Sequence, residues 1–212
     1  MFSRHDLAWL TPAGWDAALA AAPHAALHQW RGHDWPAVVR RHEVGIADDM
    51  ICLGLPLPES YGVRQRIALV SRVDHVARRQ APLPLADVLG AAPPAWLAGL
   101  VALQRATSSF DLRVYGSLAM ACLTGQAYLR PESDIDLLLR PATAGELGAG
   151  IALLAEHAAL LPLDGEIVFP TGEAVAWKEW LAACRSHARV LAKSRDAVRL
   201  VEPAHLLATL EP

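Results

Sequence analysis

The chain is short of cysteine, and that shortage removes two classes at once. Cys52, Cys122 and Cys184 are odd in number and far apart and form no Cys-x-x-Cys pair, so neither a disulfide framework nor a zinc knuckle is indicated. Long apolar runs are also missing. None approaches the roughly 20 residues that a membrane span needs, so no membrane association is expected. The N-terminal stretch MFSRHDLAWLTPAGW is broken by charge and proline too early for a signal peptide. Cytoplasm is the default compartment on these grounds. Nor is there an excess of positive charge. The formal net charge is −3, which offers no support for the basic surface that non-specific nucleic-acid binding uses. Repeats and low-complexity tracts are absent.

What remains is globular in kind: 53% hydrophobic and 19% charged over 212 residues, enough for one large domain or two small ones with a real core. Thr11-Pro12 reads as a helix start, with a run to Ala22 behind it. Three strands are expected at Ala37–His42, Met50–Leu55 and Arg66–Arg72. The segment Gln80–Pro94 carries four prolines around one short helical piece, Leu85–Leu89, and marks a boundary. Beyond it the pattern predicts a helix over Pro94–Ala106, a strand at Leu112–Tyr115, a helix at Ser117–Leu123 and a strand at Ile135–Leu139. A helix with a glycine-rich interruption follows over Thr143–Leu161, then a hairpin of Glu166–Phe169 and Ala174–Trp177, and two last strands at Val190–Lys193 and Val198–Val201. The expected fold is α/β (α+β): an N-terminal α/β module over 1–88, for substrate or carrier recognition, and a C-terminal catalytic domain over 89–212 built on a mixed sheet flanked by helices.

The stretch that carries chemistry is VYGSLAMACLTGQAYLRPESDIDLLLR, Val114 to Arg140. Asp134 and Asp136 sit at the start of an apolar strand. Alternation points both carboxylates to one face, with Cα atoms about 7 Å apart. Burying two like charges together is unfavourable without compensation, and a divalent cation is the usual compensation. Paired carboxylates suit Mg²⁺, which keeps waters and shares its sphere with substrate phosphates. Upstream, Gly116-Ser117 follows a strand and opens a helix. A helix N-terminus presents free N–H groups and a partial positive charge, glycine lets a ligand approach the backbone, and serine adds a hydroxyl. The stretch thus pairs a phosphate cradle with a metal chelator.

This order of strand, Gly-Ser, helix, Ser-Asp-x-Asp and apolar strand resembles the nucleotidyltransferase superfamily with a polymerase-β-like core. The resemblance implies a third acid on a following strand. Within Leu163-Asp164-Gly165-Glu166-Ile167, Glu166 is favoured because it lies within the apolar run, and Asp164, of the same parity, stands as the alternative. More narrowly, the chain resembles the phosphoribosyl-dephospho-CoA transferases that act as holo-acyl carrier protein synthases of malonate decarboxylase. The stretches that carry this are Ala37–Arg41, Leu53–Pro58, Arg66–Leu69, Val114–Ala119, Tyr128–Pro131, Ser133–Leu138, Asp164–Pro170 and Ala174–Trp180. The resemblance implies transfer of phosphoribosyl-dephospho-CoA from a triphosphoribosyl-dephospho-CoA donor to a serine of the acyl carrier subunit, with loss of pyrophosphate. It also implies catalytic and metal roles for Asp134, Asp136 and Glu166, a phosphate cradle at Gly116 and Ser117, and Mg²⁺ as cofactor, with Mn²⁺ the alternative.

A triphosphate calls for cations. Arg113, Arg130, Arg140, Lys178 and Lys193 lie near the motif or on later strands, and Arg130, Lys178 and Lys193 are the expected substrate ligands. Arg40-Arg41 and Arg64-x-Arg66 offer further positive charge from the N-terminal module. His24 and His28, four apart on a helix, have no acidic partner nearby and make a poor metal site. Cys122 is expected to be packed. Two other readings compete: the same core acting on another protein or a small molecule, and a degenerate core serving as a binding module. The intact Gly-Ser and Asp-x-Asp oppose the second.

Overall fold

Thr11 does cap the first helix: in the computed structural model its Oγ1 accepts from the Gly14 N–H at 3.1 Å, and Pro12 fills the first helical position. The structure describes residues 2–58, 65–186 and 188–211. The chain divides into two units, Met1–Pro82 and Leu83–Pro212.

The first unit runs β1 (Leu7–Leu10), α1 (Pro12–Ala21), α2 (Ala25–His33), β2 (Ala37–Val39), β3 (Met50–Pro56), β4 (Arg66–Arg72) and β5 (Val76–Gln80). Its five strands form an antiparallel sheet in the order β4-β3-β2-β1-β5. β1 lies inside this sheet and every one of its side chains is buried, so it reads as a continuous apolar run, LAWL, rather than an alternation. β4 does alternate: Leu69 and Ser71 are buried while Arg66, Ala68, Val70 and Arg72 are exposed. His24 is the N-cap of α2, its Nδ1 accepting from the Ala26 N–H at 3.1 Å, so it does not share a helix face with His28.

The second unit runs β6 (Leu83–Pro84), α3 (Leu85–Val88), α4 (Pro94–Ala106), β7 (Leu112–Val114), α5 (Gly116–Thr124), β8 (Ile135–Leu139), α6 (Ala144–His157), β9 (Leu163–Val168), β10 (Ala174–Ala176), α7 (Trp177–Ser186), β11 (Val190–Lys193), β12 (Val198–Val201) and α8 (Pro203–Leu207). Its seven strands lie in the order β12-β11-β10-β9-β8-β7-β6, and only β8 and β9 are parallel. α6 makes the crossover between those two strands, as a parallel pair requires.

Four expectations need correction. The units divide at Pro82/Leu83 rather than at 88/89, because Leu83 pairs with Val114 on β7 and Leu85 and Val88 are buried. α6 is uninterrupted. Gly150 serves close packing, since a β-carbon there would come within 2.7 Å of Leu139 Cδ2. The second arm of the hairpin stops at Ala176, and Trp177 opens α7 instead. The chain closes on α8 rather than on strands. Among the described residues no helix is long and apolar enough to cross a membrane.

Candidate active site

β7 ends at Val114, and the chain turns sharply into α5. The turn needs glycine twice over. Gly116 has φ +69°, a region that costs an L side chain roughly 1–2 kcal/mol. A β-carbon there would also meet Asp136 Oδ2. The Tyr115 N–H donates to the Asp136 carbonyl at 3.0 Å, which ties this turn to β8. Gly125, in the left-handed conformation, closes the other end of α5.

The loop from α5 back to β8 is pinned by Ser133. Its buried hydroxyl accepts from the Arg130 N–H at 2.9 Å, and its own N–H donates to the Arg130 carbonyl at 3.0 Å. Tyr128, in the same loop, is buried too. Burial pushes its hydroxyl well above the ordinary tyrosine range, partly opposed by a hydrogen bond with Thr124. The loop delivers Asp134 and Asp136 half-buried on one side of β8, while Ile135, Leu137 and Leu139 bury the other side.

β9 brings the third acid. Asp164 stands directly opposite Asp136 in the parallel register, and Gly165 stands opposite Leu137. Gly165 has φ +128°, and a β-carbon on it would run into the Leu137 backbone. Its bare α-carbon is what lets the two strands close at this point. Asp134, Asp136 and Asp164 each offer an oxygen, all lying within 4.8 Å of one another. Three converging half-buried carboxylates form an all-oxygen donor set that suits a hard divalent cation such as Mg²⁺ or Mn²⁺. Lys178, in the first turn of α7, places Nζ 3.4 Å from Asp164 Oδ1. Ser117 lies in the first turn of α5, half-buried, next to the glycine that touches Asp136.

Glu166, the favoured third acid from sequence, is not in this cluster; Asp164 is. Glu166 lies one alternation deeper, 5% exposed, and accepts from Lys193 Nζ at 2.8 Å. Of the other cations, Arg130 reaches Glu132 at 3.0 Å and Arg113 pairs with Asp111. Arg140 follows the far end of β8. Arg40 pairs with Glu43 at 2.8 Å, and Arg64 lies outside the described residues. Sequence reading missed α7. Its buried positions Trp177, Trp180 and Ala183, spaced by three, are the signal that was available.

Comparison with known proteins decides the family. Residues 84–204 match the model described as the phosphoribosyl-dephospho-CoA transferase MdcG C-terminal domain, and residues 3–82 match the corresponding N-terminal domain. The chain belongs to the phosphoribosyl-dephospho-CoA transferase family. A phosphoribosyl-dephospho-CoA transferase of Xanthomonas campestris is 37% identical over 205 residues, covering 95% of this chain and 94% of that protein. One of Bradyrhizobium diazoefficiens is 39% identical over 188 residues, 83% and 80% of the two chains. One of Pseudomonas syringae is 33% identical over 213 residues, 95% and 93%. No solved structure matches. The chain is accordingly an enzyme, a transferase. The stretch matched by the family's C-terminal model contains Gly116, Ser117, Asp134, Asp136, Asp164 and Lys178, so the whole cluster lies within it.

Proposed function

We propose that this transferase moves the phosphoribosyl-dephospho-CoA group from 2'-(5''-triphosphoribosyl)-3'-dephospho-CoA to a serine hydroxyl of the acyl carrier subunit of malonate decarboxylase. The observation that carries the reading is the convergence of Asp134, Asp136 and Asp164 beside the Gly116 turn. A triphosphate needs both features: oxygen donors for a divalent cation, and exposed N–H groups at a helix start. In the reaction the serine Oγ forms a bond to the phosphorus next to the ribose 5-oxygen. The bond from that phosphorus to the bridging oxygen breaks, and pyrophosphate leaves with its electron pair.

Asp134, Asp136 and Asp164 would hold Mg²⁺ or Mn²⁺, which when bound neutralises phosphate charge and makes the attacking hydroxyl more acidic. The N–H groups of Gly116 and Ser117 and the Ser117 hydroxyl hold the phosphate chain in place. Lys178, beside Asp164, and Lys193, beside Glu166, add positive charge to that grip. Asp164 takes the serine proton. Positioning and charge compensation supply most of the acceleration in phosphoryl-type transfers. The first unit serves recognition of the donor or the carrier.

The test is the intact mass of purified apo carrier subunit after incubation with this enzyme, the donor and Mg²⁺. A gain of one phosphoribosyl-dephospho-CoA group, absent with EDTA, is expected. An unchanged mass with verified donor and folded enzyme would remove this donor–acceptor pair.

A further inference from the structure

The acidic cluster uses Asp164 and leaves Glu166 with another task. Glu166 is a carboxylate at 5% exposure on the same face of β9 as Asp164. A buried charge is unfavourable unless paired and hydrogen-bonded. Lys193 pairs with it, Nζ lying 2.8 Å from Oε1, with the lysine side chain one-third exposed. The pair is not formed by direct neighbours. Lys193 on β11 stands opposite Ala174, and Ala174 stands opposite Val168, whereas Glu166 stands opposite Ala176. The lysine therefore lies diagonally across β10, over two alanines small enough to let it pass. Its ammonium is drawn along the sheet face to Glu166 on β9, two residues from Asp164.

We propose that Glu166 is a positioning residue: it holds the Lys193 ammonium at the inner border of the carboxylate cluster, where that ammonium binds a terminal phosphate of the donor. The role rests on the reading of the site as a polyphosphate site given above. With Lys178 beside Asp164, the two lysines flank the acids, each beside one carboxylate of β9. A long, flexible ammonium chain left to itself samples many positions, and a fixed carboxylate at its tip removes that freedom before the substrate arrives.

The experiment measures binding of inorganic tripolyphosphate with Mg²⁺ by calorimetry, and donor KM against kcat, in wild type, Glu166→Gln, Lys193→Arg, Lys193→Met and the double variant Glu166→Gln/Lys193→Met. Lys193→Met alone strands a buried carboxylate and is expected to unfold more readily, whereas the double variant replaces both charges and keeps the fold. The expected result is a rise of about tenfold or more in the tripolyphosphate Kd and in donor KM for Glu166→Gln and for the stable double variant, with kcat changed less. Lys193→Arg is expected to retain most of the binding. A double variant that binds tripolyphosphate like wild type would overturn the proposal and leave the pair a packing device. A wild type that does not bind tripolyphosphate would overturn it as well. Raised Kd values alongside a carrier that never gains mass would sustain the role of Glu166 and sink the assigned donor–acceptor pair instead.

Discussion

Gly116 and Asp136 share one volume: the place where a β-carbon of residue 116 would go is occupied by Asp136 Oδ2. The glycine is required by its neighbour's carboxylate as well as by its own φ of +69°. Gly116→Ala is therefore expected to act on the chemistry first, by pushing Asp136 out of register with Asp134 and Asp164. Transfer should fall on the order of a hundredfold, since displacements of about 1 Å at a reacting centre have that effect. The backbone conformation adds a stability loss of roughly 1–2 kcal/mol. Steady-state kinetics together with urea unfolding checks both, and a fully active Gly116→Ala would show that the carboxylate position does not matter.

The choice between the two acids of β9 has its own signature. Asp134→Asn, Asp136→Asn and Asp164→Asn are each expected to lower kcat on the order of a thousandfold with near-native circular dichroism, because each removes an oxygen from the proposed cation site. Each should also weaken Mn²⁺ binding read by electron paramagnetic resonance. Glu166→Gln should leave Mn²⁺ affinity near the wild-type value. The opposite order for Asp164 and Glu166 would restore the sequence-based choice.

Gly165 stands where β8 and β9 come closest. With φ at +128° and the Leu137 backbone against its α-carbon, Gly165→Ala has no strain-free solution. The backbone conformation alone accounts for about 1–3 kcal/mol, and separation of the parallel pair adds to it. A lowered urea midpoint is expected, together with lost transfer, since Asp164 is carried by the same strand pairing.

Tyr128 predicts behaviour at alkaline pH. Burial raises its folded-state pKa above the unfolded value of about 10. Between those two values the unfolded chain has lost the phenolic proton and the folded chain keeps it. Stability is therefore full below pH 10 and declines as pH rises through that window, by up to about 1.4 kcal/mol per pH unit. Tyr128→Phe is expected to flatten this decline in urea midpoints measured at pH 9, 10 and 11. A variant with the same slope as wild type would show that the phenol is solvated.

Much of the local structure is legible without coordinates. Thr11-Pro12 carries a helix cap, Pro94 opens the helix that runs to Ala106, and the strand from Arg66 to Arg72 stands where it is expected. β1 escaped because a fully buried strand has no alternation to detect. α7 escaped because Trp177 extends an apolar strand pattern across the point where the helix begins. Glycines 145, 148 and 150 suggested a break in α6, yet the helix continues, because the missing side chain at Gly150 makes room for Leu139 on the sheet beneath.

By itself the sequence determined the parity of the site: the spacing of two puts Asp134 and Asp136 on one face of β8, and a Gly-Ser turn into a helix stands before them. That information is local, carried by residues within a few positions of one another. Only the tertiary structure decided which acid joins them and which lysine stands beside them. Asp164 and Glu166 have the same parity, so periodicity cannot separate them. The parallel register that sets Asp164 against Asp136 can, and so can the diagonal reach of Lys193 across Ala174 and Ala176, which claims Glu166. Strand register and depth depend on side chains far apart in the chain, and they exist only once the sheet has formed.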